Sequence, residues 1–231
     1  MPLYLILLFI TILTPITLSF DKKLKFYKSW KYLFPSIFIT ATFYILIDIF
    51  LTQSGVWGFN PRYLIGIKIL NLPVEEWLFF IFIPYASIFL HKTVVIYFPK
   101  LRLSGKLANI LSTIFIIIAI AVLLFNYDKV YTTYIFITFL LALIISFFDK
   151  SNTISTFYIS YLLIFIPFFI VNGILTGSWI NEEVVWYNNN ENLNIRIGTI
   201  PVEDVLYSFT LIYFSLVMMK QLGSHKKTFN Q

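Results

Sequence analysis

The chain has 231 residues, of which 59% are hydrophobic and 12% charged, with a mean hydropathy of +0.84 and a formal net charge of +6. A charged fraction about half that of soluble domains excludes an ordinary soluble fold and points to an integral membrane protein. Cysteine is absent, and His91 and His225 form no ligand cluster, which excludes disulfides, thiolate chemistry and a Cys-based metal site.

A membrane span needs about 20 mostly apolar residues. The first candidate covers 3–20. It lacks a basic leader and a small-residue cleavage site, so it reads as a retained span rather than a signal peptide. The second covers 32–51 and carries Asp48 near its end. The third, 73–91, is opened by "LPVEEWLFFIFIPY", with Pro73, Glu75 and Glu76 at its head and Pro84 in mid-span, where a kink is expected. The fourth (108–125) and fifth (131–148) flank a short "NYDKV" turn and together are too long for one crossing. The sixth covers 155–175 and carries Asn172. After an acidic segment, 181–194, which reads as a solvated loop with Glu182 and Glu183, the seventh covers 200–219 and opens with "IPVEDVLYSFTLIY".

Lysine and arginine set the orientation. Thirteen of the seventeen fall on one side of a seven-span arrangement. Arg62, Lys68, Lys129 and Arg196 fall on the other. The expected topology in the cell membrane is N-terminus outside and C-terminus cytoplasmic. This clustering in loops between spans argues against nucleic acid as the partner of the positive charge.

The chain repeats itself at a spacing of about 128 residues, the kind of signal to seek first. "IKILNLPVEE" (67–76) aligns with "IRIGTIPVED" (195–204), "VWGFN" (56–60) with "VWYNN" (185–189), and "DIFLT" (48–52) with "NGILT" (172–176), which sets Asp48 opposite Asn172. Three spans are an odd number, so the intervening fourth restores the orientation of the second copy. The expected fold is all-α and integral to the membrane: seven transmembrane helices, as two parallel three-helix repeats joined by a linking helix. The boundaries are 1–97 for the first repeat, 98–130 for the linker with the fourth span, and 131–231 for the second repeat and tail.

Paired acids at a helix head have a plain reading: they complement the helix dipole, at about 0.3–1 kcal/mol each when exposed, and Pro73 and Pro201 suit the first turn. Pairs in both repeats of an acid-poor chain point further, because ionisable groups at membrane spans are costly and mark function. A protonated carboxyl can serve as general acid and its neighbour as base or cation-stabilising anion. Neighbouring residues on a helix point about 100° apart, so one acid of each pair can face the repeat interface and the other its own bundle; the sequence leaves open which. Asp48 either faces the same cavity or pairs with Arg62 or Lys68, and Asn172 at the matching place favours a shared hydrogen-bonding role. Trp57, Trp77, Phe79, Phe80, Trp186, Tyr187, Tyr207 and Phe209 bracket the acids, as an interfacial belt or as the wall of a pocket whose aromatic faces stabilise a cation. No phosphate or dinucleotide loop and no zinc-ligand spacing is present, which argues against flavin, nicotinamide and ATP-driven chemistry.

Two parallel three-span repeats, each with a P-x-E-[ED] motif (Pro73-Val74-Glu75-Glu76 and Pro201-Val202-Glu203-Asp204), together with "GVWGFNPRY" (55–63), resemble the small integral-membrane lycopene β-cyclases of the heterodimeric or fused-repeat type. The resemblance covers nearly the whole chain. It implies acid-catalysed closure of the ψ-end groups of lycopene to β-rings, giving γ-carotene and then β-carotene, with no net redox change and no cofactor. The implied catalytic residues are Glu75, Glu76, Glu203 and Asp204. Asp48, Trp57, Asn172 and Trp186 are the expected substrate-binding residues. The expected partners are the apolar carotenoid, membrane lipid and other carotenoid-pathway enzymes. A proton-coupled transporter and a cyclase acting on a C50 or other carotenoid are the alternatives.

Overall fold

The computed structural model describes residues 2–228, with side chains over 2–223. His225, and Lys226 and Lys227, which are counted among the thirteen basic residues of one side, therefore have side chains outside the described residues. Seven helices follow one another: α1 (Leu3–Leu18), α2 (Trp30–Gln53), α3 (Val74–Tyr97), α4 (Gly105–Phe125), α5 (Val130–Phe148), α6 (Thr153–Leu175) and α7 (Val202–Thr228). Helices α2 to α7 are long and apolar enough to cross a membrane. Helix α1 has 16 residues, about 24 Å at 1.5 Å per residue, and is the shortest. It gives way to a turn in which Asp21 accepts the amides of Lys23 and Leu24 and the hydroxyl of Tyr97.

The packing has two-fold character. Helix α1 lies on α3 as α5 lies on α7, and α2 lies on α7 as α6 lies on α3. Each repeat thus places its last helix against the middle helix of the other. Helix α4 packs along α5 with one face and lies at the periphery with the other, where Ile114, Ile117 and Leu124 point outward. In a bilayer such a face needs no protein partner, since lipid tails are as apolar as leucine.

Six short strands lie between the helices: β1 (Trp57–Phe59), β2 (Lys68–Ile69), β3 (Leu72–Pro73), β4 (Val185–Tyr187), β5 (Arg196–Ile197) and β6 (Ile200–Pro201). Strands β1 and β4, one from each repeat, pair antiparallel, with Trp57 opposite Tyr187 and Gly58 opposite Trp186. Antiparallel pairing of equivalent strands is the arrangement a two-fold axis produces. Both acidic motifs therefore lie at one end of the molecule. Strands β2–β3 and β5–β6 form equivalent hairpins. The first turns through Leu70 and Asn71, both with positive φ, and Gly198 takes the position of Leu70 in the second, where a left-handed conformation suits it.

These hairpins deliver the chain into α3 and α7. The amide of Val74 donates to Ile67 O at 3.0 Å and that of Val202 to Ile195 O at 2.9 Å. Pro73 closes β3 and is the N-cap of α3 rather than a first-turn residue, because its extended ψ of 147° continues the strand. Helix α3 runs on through Pro84 as one helix.

Candidate active site

The two acids of each motif do different things. Glu75 Oε1 accepts the backbone amide of Ile65 at 2.7 Å, and Glu203 Oε1 accepts that of Leu193, also at 2.7 Å, ten residues upstream in each case. Glu203 also accepts the hydroxyl of Thr132 at 2.7 Å. Both side chains are fully buried against their own repeat. They fasten the preceding loop to the head of the helix.

One residue later, and about 100° around the helix, Glu76 and Asp204 face the interface between the repeats. They line one small cavity of about 50 Å³, walled by Trp57, Phe59, Phe79, Tyr131, Tyr187 and Tyr207 among others, and are near enough for their charges to interact. Glu76 Oε2 accepts the hydroxyl of Tyr4, on α1, at 2.6 Å. Asp204 is more heavily bonded. Its Oδ1 accepts from Tyr131 at 2.5 Å, and its Oδ2 from Tyr187 at 2.8 Å and Asn172 at 2.9 Å. Burial, together with the Asp204 carboxyl beside it, pushes the Tyr187 phenol well above its ordinary range, so this ring stays a neutral donor. Trp57 meets Tyr131 edge-on at 5.0 Å, and Tyr131 stacks with Tyr187 at 5.7 Å. Carboxyls ringed by aromatic faces form a site in which a carbocation is stabilised from several sides.

A second, larger cavity of about 370 Å³ adjoins the first, sharing Phe79, Phe168, Asn172, Leu175 and Ser208 with it. Ile10 and Thr14 of α1, Ile83 and Leu90 of α3, Ile164 and Val171 of α6 and Ile212 of α7 line it. It runs between the first repeat and the second. Ile10 and Ile170 at its edge are 64% and 51% exposed, on faces that belong to lipid.

Among the expected substrate-binding residues, Trp57 and Asn172 line the acid cavity and Asn172 lines both. Asp48 is 1% exposed, behind the cavity wall, near enough to Glu76 for their charges to interact. It does not pair with Arg62, which instead meets Glu182 at 3.5 Å. Trp186 lies outside both cavities, over Gly58. Tyr4 and Tyr131, which hold the two cavity acids, were not singled out from the sequence. Fifteen tyrosines in one chain conceal them; the spacing of about 128 that relates the repeats was the signal, since Tyr4 and Tyr131 stand 127 apart.

The lycopene cyclase family model matches residues 1–94 and 128–222, one segment for each repeat. No curated protein and no solved structure matches the chain. The two matched segments span most of the chain and carry both acid-bearing hairpins and helices, and on that ground this membrane protein belongs to the lycopene cyclase family of carotenoid cyclases.

Proposed function

We propose that the protein is a lycopene β-cyclase in which Glu76 and Asp204 carry the chemistry. The observation behind this reading is a carboxyl from each repeat meeting at the head of an apolar cavity. Lycopene is an apolar polyene, so the bilayer is its solvent, and the larger cavity offers a path from lipid to the acids. One carboxyl delivers a proton to C2 of the terminal C1=C2 bond. The tertiary cation left at C1 is attacked by the C5=C6 double bond, which closes the six-membered ring and moves the positive charge to C5. The other carboxyl removes the proton from C6, and C5=C6 is restored. One proton enters and one leaves, so the reaction is an isomerisation with no electron carrier.

The surroundings suit those steps. Trp57, Tyr131, Tyr187 and Tyr207 present ring faces to the cation, and the apolar lining excludes the water that would quench it. Glu75 and Glu203, committed to Ile65 and Leu193, hold the loops and leave the reacting atoms to their neighbours. The positive-inside bias supports an orientation with the acid end outside and the C-terminus in the cytoplasm. Trp186, outside both cavities, has no substrate contact in this reading.

Expression in a lycopene-producing bacterium tests the assignment. The red pigment should turn orange-yellow, with γ- or β-carotene on chromatography. Glu76→Gln and Asp204→Asn should each lower cyclisation by about 10²–10⁴-fold, the usual weight of a general acid or base. Glu75→Gln and Glu203→Gln should retain it per folded molecule. Unchanged lycopene with well-expressed wild-type protein would overturn the reading, and a C50 product would move it to the longer carotenoid.

A further inference from the structure

The two halves of the acid cavity are related by the repeat, yet they differ at one chemically decisive place. In the second repeat, Asn172 Nδ2 donates to Asp204 Oδ2 at 2.9 Å. The matching residue of the first repeat is Asp48, and the carboxyl matching Asp204 is Glu76. Apart from the Trp57 indole beside it, no donor reaches either oxygen of Asp48 among the described residues, although the side chain is 1% exposed. Among the described residues no lysine or arginine interacts with it. The titratable groups around it are Tyr4 of α1, Glu76 of α3, Tyr134 of α5 and Tyr207 of α7, and the Trp57 indole is a further polar neighbour. Tyr134 Oη and Thr52 Oγ1 are also buried without partners. An isolated buried carboxylate is costly, and a buried carboxyl without a cation relieves that cost by holding a proton.

We propose that Asp48, at the repeat position of Asn172, holds a proton in reserve for Glu76, so that the first repeat is the proton-donating half and the second repeat the proton-accepting half. This rests on the reading of Glu76 and Asp204 as the acid–base pair and adds which is which. Asn172 bonds Asp204 directly, whereas Asp48 makes no hydrogen bond to Glu76 at rest and would have to turn toward it; unlike the amide, a neutral Asp48 hydroxyl can give its proton up. Glu76 delivers its proton to C2 of the alkene. The Asp48 O–H then re-protonates Glu76, and the proton that Asp204 takes from C6 returns across the shared cavity through Glu76 to Asp48, which resets the site with no net gain or loss. Asp204, met by three donors, is furnished to accept. Asp48 touches no substrate; it is a positioning residue acting through Glu76.

Infrared spectroscopy of the purified protein in detergent, with carbon-13-labelled aspartate, tests this without need of turnover. At neutral pH the wild type should show the C=O stretch of a protonated aspartate. Asp204→Asn should keep that band and Asp48→Asn should remove it. Absence of the band in the wild type and in Asp204→Asn, or its survival in Asp48→Asn, overturns the proposal. In the lycopene assay, Asp48→Asn should lower kcat about tenfold or more with KM little changed and should move the pH profile, and Asp48→Glu should recover part of the rate. A loss of the same factor at every pH, with no recovery in Asp48→Glu, would make Asp48 merely structural. If the wild type leaves lycopene untouched, the cyclase reading fails, while the infrared result still decides whether Asp48 is protonated.

Discussion

The hydroxyl of Tyr4 donates to Glu76 Oε2 at 2.6 Å across the contact between α1 and α3. Tyr131, at the start of the second repeat, makes the corresponding bond to Asp204. The opening helix of each repeat thus supplies a phenol to the acid of that repeat's last helix. Asp204 gains two further donors and Glu76 has none among the described residues, so the hold on Glu76 depends on one bond.

Tyr4→Phe should therefore lower cyclisation about tenfold, in keeping with the loss of one hydrogen bond to an ionisable group of about 1.5–3 kcal/mol. Tyr187→Phe should cost less, because Tyr131 and Asn172 still hold Asp204. Carotenoid yield at matched protein level measures both. Equal losses would mean that the two acids are held alike.

Glu203→Ala leaves the half-buried amide of Leu193 and the buried hydroxyl of Thr132 without an acceptor. At about 1–3 kcal/mol per unsatisfied group, the variant should melt well below wild type in detergent. Glu75→Ala strands only the amide of Ile65 and should melt between the two. The order of the midpoints is the check.

Gly58→Ala should weaken the join between the repeats. A Cβ at this position would stand 2.3 Å from Cζ2 of Trp186 on the paired strand, and overpacking of this kind costs about 1–3 kcal/mol. Trp186→Ala should relieve it, so the double variant should be more stable than the sum of the single losses. Strict additivity in a double-mutant cycle would contradict the contact.

Asp149 gives a pH dependence at the opposite end of the molecule. Although burial opposes its charge, hydrogen bonds from Ser151 and Thr153 at the head of α6 hold its carboxyl below the ordinary range. A lowered folded value means that the stabilisation is complete above the ordinary carboxylate range and is lost as pH falls through the folded value. Asp149→Asn should therefore melt below wild type at neutral pH, and the gap should close as pH falls through and below the ordinary carboxylate range. A gap independent of pH would show that the carboxylate contributes nothing there.

Hydropathy, the spacing of about 128 and the two P-V-E-[ED] motifs were enough to read the helical membrane fold and the family from the sequence. Both are properties of local sequence: a bilayer demands long apolar helices whose backbone groups bond internally, and a duplication preserves its register in the letters. The direction each acid faces was not legible. Glu75 and Glu76 are adjacent letters, and a turn of about 100° between them sends one to its own loop and the other to the shared cavity. Only the packing of α3 on α6 and of α2 on α7, with the β1–β4 pairing across the repeats, decides which azimuth is the interface. The same packing brings Tyr4 to Glu76 across 72 positions and Tyr131 to Asp204 across 73, and it leaves Trp186 outside the cavities while Trp57 lines one. Such contacts depend on where helices cross, which no local pattern encodes.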